Sequence, residues 1–156
     1  MKNFAFLSLD IIIIIVTIAI LTFLFLKGKK GILISLIFAT YPTVLIFKNF
    51  PYIEFTNQTI ELVFLLLIYI FIFWILNKSV SIGNYYSTSF RKIVDSILLS
   101  TSYIILIISL QINSLPILKN IYNFSTNTTK IIADIPYGLA LIIPIIFILL
   151  INKRQN

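Results

Sequence analysis

The chain contains no cysteine and no histidine. The first absence removes disulfides, thiolate nucleophiles and Cys-based zinc or iron–sulfur sites. The second removes the imidazole, and with it the usual general base and a common metal ligand. Acids are scarce too, five among 156 residues, so few constellations for acid–base chemistry remain. Only 11% of the residues are charged, about half of what a soluble domain uses to keep its surface wet. No glycine-rich phosphate loop occurs, and no serine has a base placed to activate it. The reading is of a non-enzymatic chain with no catalytic, cofactor-binding or metal-binding residues and no cofactor.

What the chain has in quantity is apolar side chains, 60% of the total. With so little charge, a soluble fold would expose large apolar patches and aggregate. The apolar residues fall into runs near 9–26, 31–47, 60–76, 93–112 and 135–151, parted by short polar joints. The first includes Ile11, Ile12, Ile13, Ile14 and Ile15 in succession. A helix of 16–20 residues reaches about 24–30 Å, which suits the hydrocarbon core. Membrane strands need only about 9–11 residues and alternate in polarity. None of these runs alternates. The sequence therefore predicts an all-α, polytopic membrane protein of about five transmembrane helices, one membrane domain over 1–156. The first run reads as a retained anchor, because its basic residues mainly follow it and no small-residue cleavage site does.

The net charge of +7 bears on topology rather than on a nucleic-acid partner. With the joint after the first helix inside, that side holds Lys27, Lys29, Lys30, Lys78, Arg91, Lys92, Lys153 and Arg154. The other side holds Lys2, Lys48, Lys119 and Lys130. Eight against four places the N-terminus outside and the C-terminus inside a cytoplasmic (inner) membrane.

Acids inside membranes are costly and often functional. Asp10, Glu61, Asp95 and Asp134 are each read at or just before a helix start, where they complement the macrodipole. Asp95 also begins a polar row. Asp95, Ser102 and Ser109 are spaced by seven, and Ser96, Ser100 and Tyr103 lie beside them. The row is either a polar path lined by helix four or a packing surface of small residues. Thr17 and Thr22 of helix one read as packing residues. Pro42 and Pro144 fall within spans and should kink them. Tyr41 and Thr43 put hydroxyls beside the first kink, where they can satisfy the carbonyl that Pro42 frees.

Between helices four and five, 115–125 reads as a short amphipathic helix on the outer leaflet, with Pro116 in its first turn. Residues 134–138 then turn the chain back into the membrane. Phe50, Tyr52, Phe55, Trp74, Tyr85, Tyr86 and Tyr137 fit interfacial belts. The glycosylation triplets beginning at Asn57, Asn123 and Asn127 are cheap in an Asn-rich chain.

Leu9-Asp10, the isoleucine run and the basic glycine turn Lys27-Gly28-Lys29-Lys30-Gly31 into helix two resemble the colicin V production (CvpA) family. The likeness covers about the first third. Only Asp10, Gly28 and Gly31 correspond as motif positions. Helix one lacks the small residues common in that family, and helix two lacks its early charge. The resemblance implies a small multi-pass inner-membrane protein with an envelope or toxin-production-related scaffold or accessory role. Two alternatives stand beside it: a small oligomeric transporter or channel subunit using helix four, and an accessory subunit of a larger membrane complex. The expected partners are the lipid bilayer and a second copy or another membrane protein.

Overall fold

The computed structural model describes residues 2–27, 30–49, 57–79 and 89–153. Gly28, Phe50, Tyr52, Phe55, Tyr85, Tyr86 and Arg154 lie outside the described residues. The described chain is helical: α1 (Lys2–Leu26), α2 (Lys30–Lys48), α3 (Gln58–Ser79), α4 (Ser89–Asn113), a 3-10 turn (Pro116–Asn120), α5 (Thr126–Ala133) and α6 (Tyr137–Lys153). No strand occurs among the described residues.

Four helices are long and apolar enough to cross a membrane, in the windows Leu9–Leu26, Gly31–Lys48, Gln58–Ser79 and Phe90–Asn113. A fifth crossing requires α5 and α6 to act as one broken span, bent by 77° between them. Asp134, Ile135 and Pro136 make that bend. The Pro136 carbonyl accepts from the Leu139 and Ala140 amides, which starts α6.

The helices alternate in direction. Ser114, at the end of α4, bonds both Lys48 at the end of α2 and Tyr137 at the start of α6. At the opposite end, Phe25, Leu33, Leu99 and Ile151 meet in one cluster. Helix α4 is the hub, packed against α1 and α6 and touched by α5 and the 3-10 turn. Half of its window is buried, against 6% for α3. The most polar of the long helices is thus the inner one, and the uniformly apolar α3 is the outer one. In lipid this order is reasonable, because the solvent is itself apolar and helix contacts reward small and polar residues.

Several expected boundaries move. Helix α1 begins at Lys2, so Asp10 sits two turns inside it rather than opening it. Asp95 lies in the second turn of α4. Asp134 is the C-cap of α5 and only then precedes α6. Glu61 does lie in the first turn of α3, and Lys48, Lys78 and Lys153 lie in last turns. The Lys78 ammonium stands 4.0 Å from the centre of the exposed Trp74 ring, a cation–π contact at the helix end.

The expected surface helix over 115–125 is instead a 3-10 turn folded over the bundle. Leu115 and Ile117 are buried with Val44, Leu65, Leu106 and Leu110. Burial against α3 and α4 overrides the amphipathic spacing, and the extended stretch after the turn leads into a separate helix, α5. Both α2 and α6 run continuously through Pro42 and Pro144. The hydroxyls beside Pro42 serve other carbonyls than the Phe38 oxygen that the proline frees. Thr43 donates to Ala39 O at 2.7 Å, and Tyr41 reaches across to Leu141 O in α6 at 2.6 Å.

Phe25 is fully buried among four helices, whereas Phe71 is 62% exposed on α3. Phe25→Ala should cost about 3–5 kcal/mol through lost contacts and the cavity left behind. Phe71→Ala should stay within about 0.5 kcal/mol. Reversible unfolding of both variants in mild detergent checks the contrast.

Candidate functional site

Two features meet at the end of the bundle that carries α5. The first is a carboxylate cage. Asp10 is only 2% exposed, and its two oxygens accept three hydrogen bonds. Tyr122 donates its phenol to Oδ1 at 2.6 Å. The Ser125 amide (2.9 Å) and the Thr128 hydroxyl (2.6 Å) both donate to Oδ2. Ser125 is the N-cap of α5, so the carboxylate also lies at the positive end of that short helix. Bonds to an ionised acceptor are the stronger class, worth about 1.5–3 kcal/mol each.

The cage ties α1 to a loop more than a hundred residues away. Gln111 of α4 steadies the same loop by donating to the Tyr122 carbonyl at 3.0 Å. Tyr122 and Phe124 stack edge to face at 4.8 Å. The bond to Asp10, with smaller contributions from burial and the carboxylate charge, pushes the Tyr122 phenol up to about 12. Asp10 is therefore a structural anchor in this geometry.

Beneath the cage lies the second feature, a half-open cleft of about 380 Å³. Its back wall is α2 and α4, with Thr43, Val44, Ile107 and Ile108. Its sides are α1, through Ile13 and Thr17, and α3, through Leu65 and Leu66. Leu118, Tyr122 and Phe124 roof it. The two sides stay apart because α1 rests on α4 and α2, while α3 rests on α2 and the 3-10 turn.

The candidate row on α4 is not one lined path. Ser96 and Ser102 donate to the carbonyls of Ile93 and Leu99 in their own helix, each at 2.8 Å. Ser100 accepts from Thr22 of α1 at 3.4 Å. Ser109 is buried, its hydroxyl without a partner, as is that of Ser35 on α2. Asp95 is 3% exposed at the other end of α4 from the Asp10 cage. Of the six residues only Tyr103 lines the cleft, where it pairs with Tyr69 of α3 at 2.8 Å. Gly31 stands in the first turn of α2, far from the cage. No group of three or more acids that could hold a metal occurs among the described residues.

The cage, the Tyr69–Tyr103 pair and the cleft were not legible in advance. The Ser125–Thr128 spacing ahead of Lys130-Ile131-Ile132 is a helix-start signal that would have revealed α5. Nothing in the sequence joins that start to Asp10.

Asp10→Ala should leave three donors unpaired and loosen the roof, at about 1–3 kcal/mol per unsatisfied group. Hydrogen exchange should rise over 121–133 while the α2–α4 core keeps its protection. The Tyr122 phenol supplies a second check. Its pKa is raised on folding, so its contribution is complete below pH 10 and is lost as the pH climbs toward about 12. Tyr122→Phe should remove that alkaline loss.

Comparison with known proteins gives no match: no family model, no curated protein and no solved structure is similar to this chain.

Proposed function

We propose that the chain is a non-enzymatic scaffold or accessory subunit of the cytoplasmic membrane, in the envelope role that the CvpA resemblance implies. The observation that carries this reading is where its polar side chains go. Asp10 is spent on anchoring the loop, and Ser96, Ser102, Thr40 and Thr43 bond carbonyls of their own helices. Tyr41 and Tyr69 bond carbonyls across helices. The outward faces are apolar, with Ile12, Ile15 and Ile20 on α1 and Leu67, Phe71 and Trp74 on α3 all exposed. Polar groups that brace a bundle with an apolar exterior suit a protein that stands beside a second copy or another membrane protein.

Charge adds the sidedness. Lys27, Lys78, Arg91, Lys92 and Lys153 belong to one end of the bundle, and Lys48, Lys119 and Lys130 to the other. The positive-inside rule makes the first end cytoplasmic, with the N-terminus outside and five crossings. The transporter or channel reading draws on one observation, the burial of Asp95 within the α4 span.

Purification from native membranes in mild detergent should recover a stoichiometric partner or a defined homo-oligomer. A monodisperse monomer would overturn the scaffold reading. In intact cells, Asn120→Cys should label from outside and Asn77→Cys only after permeabilisation, and the reverse pattern would invert the topology. Proteoliposomes should show no solute flux. A flux abolished by Asp95→Asn would favour the channel subunit instead.

A further inference from the structure

The cleft between α1 and α3 does nothing to hold the bundle together. Protein interiors are close-packed, and atoms lining an empty space forfeit contacts. A gap of about 380 Å³ at hydrocarbon depth therefore calls for an occupant. Three properties of the cleft choose it.

The first is polarity. Every polar side chain in the lining is already bonded. Thr17, Thr40 and Thr43 donate to Ile13, Leu36 and Ala39 carbonyls. Tyr103 pairs with Tyr69, which in turn donates to Leu36 O at 3.1 Å. Gln111 serves the Tyr122 carbonyl, and the Tyr122 phenol serves Asp10. A hydrophilic solute would find these hydroxyl donors spent and apolar walls between them.

The second is size. An apolar cavity of ~150 Å³ binds benzene, so a cleft of about 380 Å³ takes roughly 15 carbon atoms, the scale of one acyl chain. The third is position. The cleft lies in the gap between α1 and α3, two helices long and apolar enough to cross a membrane, and Tyr122 and Phe124 line it from the loop before α5.

We propose that the cleft binds one acyl chain of a bilayer glycerolipid, inserted sideways between α1 and α3. This stands independently of the scaffold reading. Leu65 and Leu66 hold the chain from one side, Ile13 and Ile14 from the other, and Ile107 and Ile108 lie behind it. The Asp10 cage fixes the roof and so sets how far up the chain reaches. Transfer from lipid to the cleft gains little hydrophobic energy, because both are apolar. The gain is in dispersion contacts with fixed walls, so the signature is a located, retained chain.

The test uses the full chain in phosphatidylethanolamine vesicles doped with a phosphatidylethanolamine carrying a mid-chain diazirine. After illumination, adducts are assigned to residues by mass spectrometry. Adducts should concentrate at Ile13, Ile14, Leu66 and Ile107, which keep surface in the cleft, rather than at the outward Leu67, Phe71 and Trp74. Ile107→Trp, which fills the cleft, should abolish the concentrated adducts. Phe71→Trp should leave them unchanged. If Ile107→Trp does not insert, Leu66→Trp from the facing wall should show the same loss. Even labelling of all outer faces, or cleft labelling that survives both fillings, would overturn the proposal. Benzoylphenylalanine in place of Leu66 should likewise capture lipid in native membranes, and capture of a polypeptide there would also overturn it.

Discussion

Hydrocarbon offers no hydrogen bonds, so a carboxylate within an apolar helix must find its donors in the protein. Asp10 is that carboxylate, and its need organises one end of the molecule. It draws Tyr122, Ser125 and Thr128 onto α1 from more than a hundred residues away. The loop so captured places the N-cap of α5, and α5 sets where the chain bends into α6. The same capture roofs the gap between α1 and α3. An isolated buried charge would cost several kcal/mol; three donors and a helix N-terminus turn that cost into a clasp.

The same constraint explains the placing of α4. In water its serines would face outward. Here outward means lipid, so the serines turn inward, where small side chains let helices approach and hydroxyls bond carbonyls. Ser96, Ser100 and Ser102 are buried, whereas the neighbouring Ile97 and Leu98 are exposed. A polar stripe on a membrane helix is therefore first a mark of which side faces the protein. The tyrosines extend the rule: Tyr41 and Tyr69 carry their hydroxyls across helix contacts to backbone carbonyls and lock α2 to α6 and to α3.

Local patterns in the chain foretold some features well. Glu61 sits in the first turn its charge suits, because the macrodipole acts only over the first and last turn. The turn through Pro136 lies where a proline and an acid interrupt the apolar pattern. Asp10 and the 115–125 segment were misread for one reason. Local pattern assigned the first to a helix start and the second to a membrane surface, but both positions are set by partners far away in sequence. The hydroxyls around Pro42 were expected to mend their own helix, yet Tyr41 is long enough to reach α6.

Sequence by itself determined that the chain is helical and compatible with a multi-pass membrane protein, because run length and the scarcity of charge are local quantities and the bilayer's thickness reads them directly. The absence of cysteine and histidine likewise narrowed its chemistry without reference to any fold. Only the tertiary structure decided which acid is clasped, which face of α4 is inward and that α1 and α3 stand apart. Those outcomes rest on contacts between residues remote in the chain. Helix periodicity shows which side chains share a face but not what the face meets.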